Sequence, residues 1–455
     1  MQPIRIIDKQ FNLYAEIDDY ESLIWTRRWH KAGEFELHIS VDKANTGQLQ
    51  KGRIVVAGDK AAFILHREIS VGENGEETIL IKGTTIASMV GRRITVPPAG
   101  FAYDRVETTA EEAMKHYVDK NCVNPVDLRR KMPSLAIAPN LSRGPNIVHL
   151  SRLKALDAEL EAISLSSGLG WDVILDTVSK QCIFETYEGR DLTAGQTVNP
   201  PVIFSVDFDA VKVQTFIDSD FGYRNTGYVG GQGEGEEREI IEVGTGLSGL
   251  ERLETFIDAR DIEDGDDLVS RGQQKLSEMG EIQTFDNEIL TNGPYTYKED
   301  WDLGDIVTAM NRKWDVTLDA RITEVKEIYE PDGFKLEATF GNDVPTLVEK
   351  IKKVLDSPLV EKSNLSVENI PTKTSQLEND AGYITVSEAP QASTYIHTQL
   401  SPSQIWTVNH GLGLFPSVTV VDSAGSTVMG EVKYLSNNSV ELSFSYVFSG
   451  KAYLN

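Results

Sequence analysis

The chain reads as a mainly β protein of the α+β class, on three observations. Short apolar/polar alternations with Gly, Asn and Asp breaks fill the first hundred residues and return from about residue 201. Between them lies a stretch with helical periodicity, and after residue 386 the composition changes abruptly. At 455 residues the chain exceeds what one hydrophobic core usually supports, so several domains are expected.

Residues 1–105 form the first expected β-domain. Arg5-Ile-Ile, Phe35–Ser40, Arg53-Ile-Val-Val and Thr78–Lys82 alternate with period two, and Lys31-Ala-Gly33, Ala57-Gly-Asp59 and Gly72–Gly75 break the runs. That pattern signals an antiparallel sheet or barrel. Gly83–Ile94 suits a short helix after a strand.

Residues 106–200 read as an α/β insertion. Thr109 with Glu112 makes a capping box, and Ala110, Met114, Tyr117 and Val118 then share one helical face. Leu153, Leu156, Leu160 and Ile163 mark a second helix, stopped by Gly168-Leu-Gly170 before the strands Trp171–Leu175 and Cys182–Thr186.

Residues 201–345 restore the β pattern in Val202–Asp207 and Val211–Ile217. A glycine-rich 222–235 and a helix starting near Asp266 interrupt it. Leu303-Gly-Asp-Ile-Val307 fits a tight turn feeding a strand, where Gly304 allows an unusual backbone angle and Asp305 can bond the turn amides. Residues 346–385 are expected to be a helix and a turn-rich connector. The apolar stripe Val344, Leu347, Val348, Ile351, Val354, Leu355 must cover either its own barrel or symmetry mates. Residues 386–455 hold four acidic and two basic residues with twelve serines, which marks a separate β-domain.

Charge excludes some functions and leaves others open. A net charge of −26 argues against gripping nucleic acid, which needs clustered Lys and Arg. Gly231–Asp267 alone carries thirteen Asp/Glu against three Arg. This is either a solvated loop with an acidic helix start, the commoner case, or a channel wall past which DNA slides without sticking. Only Cys122 and Cys182 occur, enough for one optional bridge but no disulfide framework. The opening Met1–Lys9 lacks a signal-peptide pattern, and no run of eighteen apolar residues exists, so a soluble cytosolic product without a membrane anchor is expected.

Motifs for chemistry are absent. Tyr228–Gly235 lacks the Gly-Lys-Ser/Thr ending of a phosphate loop, and its glutamates would repel phosphate. Asp258–Asp267 fails the spacing of a calcium loop, and none of the seven histidines sits at a metal spacing. No nucleophile elbow is present. A carboxylate pair of the glycosidase kind is a spatial signature, but nothing points to a substrate cleft. The expectation is no metal, no cofactor and no catalysis.

Three segments together resemble the siphophage tail-hub family, whose members close the tail tube at the baseplate: Asn225–Arg238, Leu250–Asp261 and Asp300–Val307. The resemblance covers about residues 1–350. Ile370–Thr385 looks like a connector of phage fibres and baseplate proteins. The closing Trp406-Thr-Val-Asn-His-Gly-Leu-Gly and Phe448–Asn455 resemble a tail-fibre terminal β-domain, small and sandwich-like. The resemblance implies a virion tail-tip component, a homotrimer with two tube-like β-barrels per chain, near 1–105 and 201–345, ringed around a DNA channel. Its implied partners are distal tail, tail tube and other baseplate proteins, with DNA passing unbound.

Candidate interface residues are then Arg252, Glu254, Asp258, Arg260 and Asp261, whose alternating charges suit salt bridges, with Leu347, Ile351 and Leu355 of the amphipathic helix. Trp406, Tyr434, Tyr446 and Tyr453 are candidate tip contacts to a host cell-wall glycan, although aromatics in so small a domain are more often core. A receptor-binding fibre is the first alternative reading and a cell-wall hydrolase the second.

Overall fold

The computed structural model describes residues 2–260, 262, 265–341 and 394–455. The chain divides into two compact units, Met1–Val360 and Glu361–Asn455. Both are built mostly of antiparallel strands, in keeping with the mainly β, α+β class.

The first unit opens with strands β1 (Ile4–Ile7), β2 (Leu13–Ile17), β3 (Ser22–Arg28), β4 (Glu34–Ser40), β5 (Ile54–Ala57), β6 (Lys60–Val71) and β7 (Glu77–Thr85), followed by a 3-10 turn at Ile86–Arg92. Alternation drives this sheet: in β4 Phe35, Leu37 and Ile39 are buried while Glu34, Glu36 and His38 are not. Then come β8 (Asp104–Thr109), α1 (Ala110–Val118), β9 (Leu135–Ile137), β10 (Asn146–Ser151), α2 (Leu156–Ser167), β11 (Gly170–Asp176) and β12 (Gln181–Tyr187). The remainder holds β13 (Ile203–Phe204), β14 (Val211–Ser219), β15 (Thr226–Gly230), β16 (Ile240–Gly244), β17 (Glu254–Asp258), α3 (Gly265–Ser277), β18 (Ile282–Ile289), β19 (Ile306–Asn311), β20 (Val316–Glu330) and β21 (Gly333–Gly341).

A thirteen-stranded sheet dominates this unit, in the order β14-β18-β21-β20-β3-β4-β7-β6-β5-β1-β2, with β19 on β20 and β13 on β19. The expectation of two separately closed barrels is corrected here, because the path ends at β14 and β2 and does not close. The physical reason lies in β20. Its fifteen residues carry β19 at the start, and beyond a bulge at Ile322/Glu324 they pair with β21 on one side and β3 on the other. The edge of β3 that separate closure would need is thereby used by the second half.

One face of the N-terminal strands packs Trp25, Phe35, Leu37, Ile39 and Ile81 into one core. The opposite face of β1, β5 and β6 packs Ile7, Ile54, Val56 and Phe63 against Met114, Tyr117, Leu160 and Phe184 of the α/β stretch. Burial on both faces is why β5 reads as the unbroken apolar run Ile-Val-Val-Ala. The second half has its own core around Phe204, Phe285, Trp301 and Phe340.

Local expectations fare unevenly. Thr109 caps α1 by accepting from the Glu112 amide, and Ala110, Met114, Tyr117 and Val118 are all buried. Helix α2 starts at Leu156, not Leu153, which sits in the left-handed region at φ 53 with its side chain exposed. Gly168 ends that helix at φ 77. Cys122 and Cys182 are free and buried, and burial pushes their thiols up to about 12 and about 11, so they are poor nucleophiles.

The second unit is a five-stranded sheet of β22 (Tyr395–Asn409), β23 (Val418–Asp422), β24 (Thr427–Val428), β25 (Glu431–Ser436) and β26 (Ser439–Leu454). The long β26 pairs with β22 along most of its length, with β25 at its start and with β23 at its end. Trp406, Val408, Val440, Leu442, Phe444, Phe448 and Leu454 form its core.

Candidate functional site

The charged residues singled out from the sequence converge on a small module. Strands β16, β15 and β17 form a three-stranded sheet, antiparallel then parallel. Val229, Val243 and Ile257 face α3 and pack with Leu268. The opposite face mixes polar and apolar groups, and Tyr228 stands there in register between Glu242 and Phe256.

Arg252 organises one end of that face. Its Nε donates to Glu254 at 2.5 Å, and its Nη2 reaches Glu242 at 2.8 Å and the Tyr228 hydroxyl at 2.9 Å. Hydrogen bonding from Arg252 holds the Glu242 carboxyl below its ordinary range. Arg238 organises the other end, donating to Asp258 at 2.5 Å and to the Gly230 carbonyl at 3.0 Å while lying 5.1 Å above the Phe256 ring. A Cβ added at Gly230 would come within 2.7 Å of both that guanidinium and the Phe256 ring, so one of these side chains would have to shift. Arg260 also grips Asp258, at 2.7 Å. Burial works to raise Asp258, yet the hydrogen bonds and charges of Arg260 and Arg238 keep it below the usual carboxylate value.

Arg252, Glu254, Asp258 and Arg260 therefore pair within the module. Arg238, not singled out from the sequence, is the second organiser; only its position three residues past the glycine cluster could have signalled it. Asp261, Leu347, Ile351 and Leu355, with the helix at 344–356 and the connector at 370–385, lie outside the described residues. The acidic helix start proves to be a docking point as well: Arg105 of β8 donates to both Asp267 oxygens, at 3.0 and 3.1 Å.

A second polar constellation lies along the β3–β20 seam. Arg28 bridges Glu324 and Glu34, each at 2.7 Å, and Arg27 meets Asp302 at 2.6 Å and the Tyr297 hydroxyl at 2.7 Å. Glu327 is buried and accepts from Lys60, from Tyr329 at 2.6 Å and from Tyr297 at 3.0 Å. Burial would raise its carboxyl, but the charge and hydrogen bond of Lys60 hold it down.

The turn before β19 behaves as its sequence indicates. Gly304 has φ 92, and any Cβ there would strike the Trp29 ring at 2.0 Å. Asp305 accepts from the Asp302 amide at 2.9 Å, and also from the amide and side chain of Arg190, whose Nη2 lies at 2.6 Å.

In the second unit the candidate contacts separate. Trp406 is 1% exposed and packs on Phe444 and Phe448, so it belongs to the core and not to the contact surface. It also lies late in β22, which ends at Asn409. Tyr434 and Tyr446 are exposed, and Tyr453 is half-buried. Tyr434 stands edge-on to the exposed Phe415.

Among the described residues no group of His, Cys, Asp or Glu is arranged to hold a metal ion, and no helix is long and apolar enough to cross a membrane.

Comparison with known proteins places these surfaces in context. The family model described as Siphovirus ReqiPepy6 Gp37-like protein matches residues 3–342. No curated protein matches the chain. Among solved structures, the prophage tail protein gp18 from Listeria monocytogenes EGD-e has a TM-score of 0.47 at 10% identity, covering 78% of this chain and 98% of its own. The 43 kDa tail protein of prophage MuSo2 from Shewanella oneidensis also scores 0.47, at 12% identity, covering 74% and 98%. A tail protein from Neisseria meningitidis MC58 scores 0.47 at 13% identity, covering 75% and 97%.

Proposed function

The chain belongs to the Siphovirus ReqiPepy6 Gp37-like family, and from that premise we propose that it is a structural tail protein of a siphophage virion, the hub that closes the tail tube at the baseplate. The reach of the family match carries this reading, because residues 3–342 take in both halves of the thirteen-stranded sheet and the α/β stretch between them. The architecture favours assembly: the sheet ends in β14 and β2, and strand edges of this kind accept neighbours or need covering. Three copies surround a channel for DNA, and the chain joins distal tail, tail tube and other baseplate proteins. Its work is mechanical, without catalysis. Leu347, Ile351 and Leu355, of the apolar sequence stripe at 344–355, contribute to contacts between copies. The C-terminal unit caps the assembly or meets a host glycan through Tyr434 and Tyr446, whose exposure favours a contact role.

The test is electron microscopy of virions decorated with antibody to this chain, together with negative-stain images of the purified protein mixed with its tail partners. Label at the tail tip and rings with a central hole are expected. Label confined to the capsid, or a chain that stays monomeric with those partners, sinks the reading.

A further inference from the structure

The α/β stretch carries a surface out of character with a chain of net charge −26. Three loops are tied together there. The Thr95 amide donates to the Lys154 carbonyl at 2.9 Å, and the Leu153 amide donates back to Thr95 at 2.8 Å. The Arg93 side chain donates to the Arg130 carbonyl at 2.8 Å, and Arg130 reaches back to the Ile94 carbonyl. Residues 92–96, 127–131 and 151–155 thus form one face.

The centre of that face is apolar and its rim is basic. Ile94, Val96, Leu128 and Leu153 are 45%, 40%, 77% and 57% exposed. Around them Arg92, Lys131, Arg152 and Lys154 are exposed, while Arg129, also exposed, pairs with Asp127 of its own loop at 2.8 Å. Leu153 holds φ 53, a conformation a branched side chain adopts only when its surroundings enforce it, and here it presents a leucine to solvent. Phosphate binding needs no such apolar centre, whereas a protein interface does.

The same chain carries the complement. On the β15–β17 module Ile240, Leu250 and Phe256 are 49%, 100% and 38% exposed. Exposed Glu236, Glu237, Glu239, Glu242, Glu251 and Glu254 surround them. Arg252 of the same module occupies Glu242 and Glu254, leaving Glu236 and Glu237 exposed in the turn at Gly235–Glu237.

We propose that the basic, apolar-centred face at residues 92–96, 127–131 and 151–155 receives the acidic β15–β17 module of a second copy of this chain. A contact between two different patches on identical chains is head-to-tail and generates a closed ring when the rotation closes. The inference rests on the reading of the chain as a ring-forming tail component, and it names the surfaces that form the ring. It also gives the acidic 231–267 stretch a role in docking.

Charge reversal tests it on the full-length protein at micromolar concentration, by light scattering with circular dichroism as the check on folding. Wild type is expected to form multimers that dissociate as salt rises. Lys131→Glu with Arg152→Glu, and separately Glu236→Lys with Glu237→Lys, should each weaken association at least tenfold. All four changes in one chain should restore it, because the reversed surfaces again complement each other. Unchanged mass in either pair, or loss without restoration in the fourfold variant, overturns the contact while leaving the hub reading intact. A wild-type chain that stays monomeric with its tail partners sinks the hub reading itself.

Discussion

The β3–β20 seam and the β22–β26 ribbon both join strands that do not follow one another in sequence, and they do so with opposite chemistry. Along the seam the cross-strand register sets Arg28 opposite Glu324 and places buried Glu327 among Lys60, Tyr329 and Tyr297. Along the ribbon Trp406, Val408, Leu442 and Phe448 meet in an apolar core, and the surrounding sequence carries serine where the rest of the chain carries charge. Apolar burial is non-directional and tolerates local rearrangement, whereas a buried ionic network holds a specific geometry and fails when one member is lost. The seam is thus the specific joint and the ribbon the self-contained one.

Removal of residues 448–455 breaks the comparison most severely. These residues lie at the centre of the sheet: Gly450 to Leu454 pair with β22 on one side and with β23 on the other. Phe448, Ala452 and Leu454 leave the core with them. The C-terminal unit should lose its cooperative unfolding transition and its Trp406 near-ultraviolet signal altogether, while the body keeps its own transition. A truncated chain that retains both transitions refutes the central placement of β26.

At the seam, Glu327→Ala leaves the Lys60 ammonium buried without its carboxylate. The cost should be roughly 3–5 kcal/mol on the body in urea unfolding, the range for breaking a buried pair. Lys60→Met combined with Glu327→Leu should recover most of that loss, because the two charges then disappear together. If the single change costs less than about 1 kcal/mol, the pair is solvated and the seam is not the specific joint; that is the range of exposed ion pairs.

Periodicity makes much of this legible in the sequence. The strand at Phe35–Ser40, the α1 cap at Thr109 and the Gly304-Asp305 turn all rest on interactions within a few residues, and each is found. Closure was not legible, because whether β3 pairs with its own half or with β20 depends on partners about three hundred residues apart. Leu153 looked helical by spacing alone, since spacing cannot reveal a left-handed backbone angle. Trp406 was ambiguous for a related reason: an aromatic in an alternating strand faces core or solvent according to register, and its register with Leu442 puts it inside. The charges from Arg252 to Arg260 were visible, but their partner Arg238 lay beyond a glycine-rich turn whose path only the fold sets.

Acid should sharpen the comparison by a smaller effect. Burial works to raise the Glu159 carboxyl, but the hydrogen bond and charge of His149 prevail and hold it at about 2, while Lys60 holds Glu327 down against a similar burial. A carboxyl lowered in the folded state contributes stability that is fully present above its unfolded value, about 4.3 for glutamate, and is lost as pH falls through the folded value. For Glu159 that window runs from about pH 4.3 down to about pH 2, and both groups belong to the body. The segment 386–455 holds only four acidic residues, so acid has little to act on there. Calorimetry of the intact chain should therefore show the body transition falling between about pH 4.3 and about pH 2 and the C-terminal transition moving less. Parallel shifts of the two would mean that the buried carboxylates do not govern the body's response, and the contrast between an ionic joint and an apolar one would fail with them.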